Sequence, residues 1–234
     1  MTDSTPVDKW GTYELTLLFP PFTPTGPTLS DAPAPPNDPV RARRVAESLG
    51  TVAEVVEELP SRALDDLPSP GTRDDLDVVA VGCWGGLVLV VDPALASDAV
   101  VSSMAEEIGR QRALHPDARI TGAVFLDAGQ EFSEYLVDLP GGPALRVGGW
   151  DDEEEWARHG DPEEILRTLD VDPAGHGEDL DLDEDPRFVD WDAFLALALG
   201  PQVTDGDRSR LRPSLFRVRR SERGAAALAD VWFG

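Results

Sequence analysis

The sequence predicts an α+β fold: a mostly antiparallel sheet of about six to eight strands with four to five flanking helices. Three observations predict it. Strand-like apolar runs follow one another across short glycine-containing turns over residues 76–91 and 119–149, and connections that short make antiparallel neighbours. Helix caps and apolar stripes recur between and after those runs. The strands and helices do not alternate regularly, which excludes a repeating βαβ pattern.

Taken in order, residues 12–19 alternate, with Tyr13, Leu15, Leu17 and Phe19 on one face of a strand. Residues 20–38 form an irregular connector with seven prolines between Pro20 and Pro36. Asp38 caps a helix that begins at Pro39, buries Ala42, Val45, Ala46 and Leu49, and stops at Gly50. Thr51 and Glu54 match a capping box, so a second helix is expected, with Val52, Val55, Val56 and Leu59 on one face and Pro60 at its end. Leu76–Val81 and Leu87–Val91 read as a hairpin around Gly82–Gly86, with strands covered on both faces. A helix is expected from a Ser97 cap to about Leu114, with Val101, Met104, Ala105 and Ile108 inward. Strands follow at Arg119–Leu126, Phe132–Leu139 and Ala144–Gly149. Asp161 and Asp190 cap two further helices; the second buries Trp191, Phe194, Leu195, Ala198 and Leu199. Phe216 and Val218 alternate with Arg217 and Arg219, and Leu228–Phe233 is expected as a closing strand.

One globular domain spanning residues 1–234 is expected, with the connector at 20–38 and an acidic helical segment at 151–200. The chain has 234 residues, enough for a substantial core. Charge is the dominant compositional signal: 45 Asp and Glu against 20 Lys and Arg, a formal net charge of −25. Nucleic acid and anionic membranes are repelled by such a surface, whereas a cationic protein is attracted. Plain solubility is the competing explanation. Lys9 is the only lysine, a bias that fits a high-GC genome or adaptation to salt. Cys83 is the only cysteine, so no internal disulfide forms, as in a reducing cytoplasm. The first ten residues lack a signal pattern, and no apolar run reaches the roughly 20 residues a membrane span needs. A cytoplasmic location is expected, with no membrane contact and the oligomeric state left open.

No motif specifies catalysis or a cofactor. Cys83-Trp84 resembles the nucleophile neighbourhood of papain-like enzymes, but an apolar strand follows where a helix is needed. His115, His159 and His176 are too far apart in sequence for paired metal ligation. Asp179, Asp181, Asp183 and Asp185 have the spacing of a calcium loop, yet Glu184 replaces the turn glycine and Asp190 the bidentate Glu, so a solvated loop is the simpler reading. No metal or cofactor is therefore assigned. Between Asp151 and Asp192 stand 18 acids against three arginines. Asp151, Asp152, Glu153, Glu154, Glu155 and Trp156 form the candidate partner-binding patch, with carboxylates to steer a basic protein and an indole to anchor it. Seven arginines lie between Arg208 and Arg223; Arg217, Arg219 or Arg220 is expected to pair with acids of 151–192.

Five segments together carry a resemblance. They are Gly11-Thr12-Tyr13-Glu14-Leu15-Thr16, Val81-Gly82-Cys83-Trp84-Gly85-Gly86, Asp92-Pro93-Ala94-Leu95-Ala96, His115-Pro116-Asp117-Ala118-Arg119-Ile120 and Phe216-Arg217-Val218-Arg219-Arg220. The chain resembles, over nearly its whole length, an uncharacterised family of small acidic proteins from high-GC bacteria, a domain of unknown function. The resemblance implies one cytosolic domain and supplies no site residues. The expectation is thus a non-enzymatic cytosolic protein that binds a cationic protein partner through its acidic surface. The alternative is a carboxylate-based hydrolase or metal-dependent enzyme of unrecognised type, which would need paired carboxylates with shifted proton affinities in a pocket.

Overall fold

Among the described residues, nine antiparallel strands form one sheet in the order β2-β9-β3-β4-β1-β5-β6-β7-β8, with five α-helices around it. The computed structural model describes residues 4–22, 36–67, 69–98, 100–172, 180–182, 185–200 and 208–234. The strands are β1 Trp10–Leu18, β2 Val52–Leu59, β3 Val78–Trp84, β4 Leu87–Val91, β5 Arg119–Asp127, β6 Glu131–Asp138, β7 Ala144–Trp150, β8 Ala157–His159 and β9 Ser214–Arg220. The helices are α1 Pro39–Ser48, α2 Ser103–Leu114, α3 Pro162–Leu169, α4 Trp191–Leu199 and α5 Glu222–Phe233. The α+β class stands, with one strand more than the upper expectation. The Pro-rich connector lies mostly outside the described residues.

Alternation on β1 divides the molecule. Tyr13, Leu15 and Leu17 join the larger core with Val79 and Val81 of β3, Ile120 and Leu126 of β5, Ala42 and Ala46 of α1, Met104 and Ile108 of α2, and Leu228 and Trp232 of α5. On the other face, Ile165 and Leu166 of α3 and Trp191, Phe194 and Ala198 of α4 cover Val137 of β6 and Leu145 and Val147 of β7. A third, smaller cluster joins Trp84, Leu87 and Leu89 to Leu64 and Leu211. The acidic segment after residue 151 thus packs its helices on the same sheet.

Two expected elements exchange identity. Residues 52–59 are a strand, because two irregularities in the β2–β9 register, between Val52 and Glu54 and between Val55 and Glu57, bury Val52 and Val55 three apart. Bulges of this kind give a strand the spacing of a helix. Val56 is exposed, and the valine-rich composition favours extended backbone. Thr51 caps nothing there; its hydroxyl donates to the buried Asp92 carboxylate at 2.5 Å. Conversely, the expected closing strand at Leu228–Phe233 is the second half of α5, with the Ser221 hydroxyl accepting from the Gly224 amide. The helix α2 starts at Ser103, capped by Ser102 rather than Ser97.

Glu107 of α2 is wholly buried, accepting from the Gly50 amide at 3.0 Å and the Gln111 amide at 2.8 Å, with Arg223 of α5 3.6 Å away. Burial raises its pKa above the ordinary glutamate range, against the lowering by those hydrogen bonds, Arg223 and Arg110. The folded state then binds its proton more tightly than the unfolded chain, so this group's contribution falls as pH rises from the unfolded value through the raised folded value. Substituting Glu107→Gln is expected to flatten stability against pH in the mildly acid range above the ordinary glutamate value. Urea midpoints of both proteins across that range check it; parallel curves would refute it.

Candidate functional site

The six residues of the candidate patch form the turn between β7 and β8, and the first three acids build that turn. The Asp151 amide donates to the Glu131 carbonyl at 2.9 Å, extending the β6–β7 ladder, and its carboxylate accepts from the Glu131 amide at 3.3 Å. Asp152 accepts from the Gln130 amide group at 2.7 Å. Glu153 accepts from the Trp150 amide at 3.0 Å. Glu154 and Glu155 are exposed and make no hydrogen bond or ion pair with the described residues.

Trp156 is not a free anchor. It is half-buried against the core beneath α3 and α4, and its indole N–H donates to the Trp150 carbonyl at 2.9 Å. Gly149 makes this possible: a Cβ there would come within 2.6 Å of both the Trp156 ring and the Glu153 carboxylate.

The exposed aromatic beside the acids is Phe188, 68% exposed. Arg187 connects it to the turn, donating to the Glu153 carbonyl at 2.8 Å with its guanidinium 5.6 Å from the Phe188 ring centroid. Arg187 also holds Asp185, at 3.0 Å and 2.5 Å, and these bonds pull the Asp185 carboxyl down to about 2. The Arg187 pKa is raised, first by Asp185 and further by the nearby charges of Glu154 and Glu155. Nothing in the sequence marks Phe188, because a lone phenylalanine before a cap looks like core.

Sheet order extends the surface. Trp10 opens β1 opposite Asp127 of β5, Asp127 lies opposite Glu131 of β6, and β7 beside it leads into the turn. Three strand spacings separate β1 from β7, about 14 Å. Asp127 and Glu131 are exposed, and Trp10, 46% exposed, rests edge-on against Phe125 at 5.2 Å. One end of the sheet therefore carries seven exposed carboxylates, from Asp127, Glu131 and Asp151 to Glu155, between two exposed aromatics.

Among the described residues, Arg217, Arg219 and Arg220 pair elsewhere than with residues 151–192. Arg217 pairs with Glu57 at 3.7 Å and Arg219 with Glu54 at 2.8 Å, both across the β9–β2 ladder. Arg220 pairs with Asp92 at 2.7 Å. The reason is register: β9 lies between β2 and β3, at the opposite side of the sheet from β8. Cys83 is buried, and burial pushes its thiol up to about 11, against the needs of a nucleophile. Burial first, then Asp190 and Glu14, raises the Asp192 carboxyl, but Glu14 is itself engaged by Arg208. Among the described residues no three His, Cys, Asp or Glu side chains are arranged to hold a metal ion; Asp179, Asp183, Glu184 and His176 lie outside them. No helix among the described residues is long and apolar enough to cross a membrane.

The fold and this surface define an α+β protein on a single antiparallel sheet, acidic and aromatic-flanked at one end. The chain belongs to a family of unknown function (DUF6333), whose model matches residues 1–234. No curated protein and no solved structure matches it.

Replacing Gly149 by alanine is expected to expel Trp156 from its site and cost about 1–3 kcal/mol, the usual range for overpacking. Urea unfolding and a red-shifted tryptophan emission check this; unchanged values would show that the indole does not need the glycine.

Proposed function

We propose that this protein is a non-enzymatic binding protein that engages a cationic protein partner through the acidic end of its sheet. The observation that carries the reading is the division of labour in the β7–β8 turn. Asp151, Asp152 and Glu153 hold its shape, while Glu154 and Glu155 stay unpaired among the described residues beside the exposed ring of Phe188. Carboxylates on a fixed turn steer a basic surface and raise its association rate, and a neighbouring aromatic contributes the contact that slows dissociation. The net charge of −25 acts in the same direction at longer range. A free, buried Cys83 suits work in a reducing cytoplasm. The anchor is assigned to Phe188, with Trp10 at the far side of the patch.

Capture of partners from native lysate by the immobilised protein tests the reading, with washes at low and then high salt. A stoichiometric basic protein is expected, retained at low salt and released at high salt. A bait carrying Glu154→Gln, Glu155→Gln and Phe188→Ala is expected to lose it. An empty wild-type eluate, or equal retention by the triple variant, would overturn the proposal.

A further inference from the structure

The end of the sheet opposite the acidic turn collects cations. Phe19 continues β1 beyond Leu18, and its amide donates to the Gly86 carbonyl at 2.8 Å. Gly85 and Gly86 form the two-residue turn of the β3–β4 hairpin; Gly85 carries the positive φ of 59° that such a turn requires. Asn37 and Asp38 fix the start of α1 on β3: the Cys83 amide donates to the Asn37 side chain at 2.8 Å, and the Asp38 amide to the Cys83 carbonyl at 2.9 Å. This places Arg41 with its guanidinium 4.9 Å from the Phe19 ring centroid, one N–H donating to the Gly85 carbonyl. The helix α2 runs alongside, since Arg110 donates twice to the Ser48 carbonyl at the end of α1. Its last turn leads to His115, whose ring stands edge-on to Phe19 at 5.1 Å.

Phe19 thus carries an arginine over its ring and a histidine ring nearly perpendicular to it. Arg41 makes no ion pair with the described residues, although acids outnumber cations 45 to 20 in this chain. Its nearest acid in sequence, Asp38, is occupied by the Val40 and Arg41 amides that it caps. Arg44, one turn further along α1, is exposed and likewise without an ion pair among the described residues. Burial lowers the pKa of His115, and the nearby Arg41 lowers it further. Two cationic groups set side by side repel until an anion joins them. Arg41 spends one donor on Gly85 and keeps the rest of its planar fork, the geometry that matches an oxyanion.

We propose that Arg41, Arg44 and His115 form a binding site for an oxyanion, the phosphate or carboxylate group of a small ligand, where α1 meets the end of α2. The site is independent of the acidic surface and lies at the other end of β1. The chain's acid excess repels anions at long range, so recognition rests on the short-range contacts of these three side chains.

The test follows the ring resonances of His115 and His159 by NMR in the full chain at fixed pH and constant ionic strength, during titration with inorganic phosphate and separately with acetate. A saturable shift at His115 is expected with at least one of the two, and none at His159, an exposed residue of β8. The anion that saturates at lower concentration names the group. Arg41→Gln is expected to weaken binding by about tenfold or more, the loss of one charge-assisted contact. Arg44→Gln, at an exposed position, is expected to weaken it less, with circular dichroism and melting unchanged. Parallel, unsaturable drifts at both histidines, or wild-type affinity in both variants, would overturn the proposal.

Discussion

A buried ion pair between Asp92 and Arg220 fixes how the two halves of the chain meet. Asp92 follows β4 and is fully buried. One of its oxygens accepts from Arg220 at 2.7 Å and from the Ala94 amide at 3.0 Å; the other accepts from the Thr51 hydroxyl. Arg220, the last residue of β9, also donates to the Leu76 carbonyl, and Asp77 lies 3.5 Å from its Nε. Tyr13 of β1 lies close enough that Asp92 adds to burial in raising its phenol pKa. One carboxylate and one guanidinium therefore tie together the end of β4, the start of β2, the end of β9 and the approach to β3. The insertion of β9 between β2 and β3 is the least local event in this topology, and these charges reward only that arrangement. Their role is specificity of register more than net stability, because desolvation consumes much of the attraction.

The same placement accounts for the charge map. With β9 next to β2, Arg217 and Arg219 meet Glu57 and Glu54, and these exposed pairs are each worth about 0–1 kcal/mol. Their larger effect is to use the arginines of the C-terminal segment at one side of the sheet. The turn at 151–155 lies at the other side, where Arg187 reaches it, and among the described residues Glu154 and Glu155 have no ion-pair partner. The edge strand β2 carries Glu54, Glu57 and Glu58 outward, and charge of that kind discourages pairing with a further strand.

Much of the fold was legible because local signals agreed with tertiary demand. Tyr13, Leu15 and Leu17 alternate on a strand that is central to the sheet, and Asp38, Asp161 and Asp190 all cap the helices expected of them. Misreadings arose where a long-range partner changed the local meaning. Thr51 and Glu54 match a capping box, but Thr51 serves Asp92 and Glu54 serves Arg219. In α5, Leu228, Val231 and Trp232 have helical spacing, yet their short apolar run also reads as a strand. The acidic turn was legible as a charge run, and its division into shaping and free carboxylates was not. That division depends on Gln130, Glu131 and Arg187, which reach the turn only through the β6–β7 pairing and the packing before α4.

The most direct test of the register claim is a double-mutant cycle on Asp92 and Arg220, read by urea unfolding. Asp92→Leu and Arg220→Met alone are each predicted to cost about 3–5 kcal/mol, because the first leaves the buried Arg220 with only Asp77 at 3.5 Å and the second leaves the buried Asp92 without its cation. The double variant is predicted to cost well below their sum, with a coupling of about 2 kcal/mol or more. Additive losses, or single losses under about 1 kcal/mol, would show that β9 is placed by apolar packing and not by this pair.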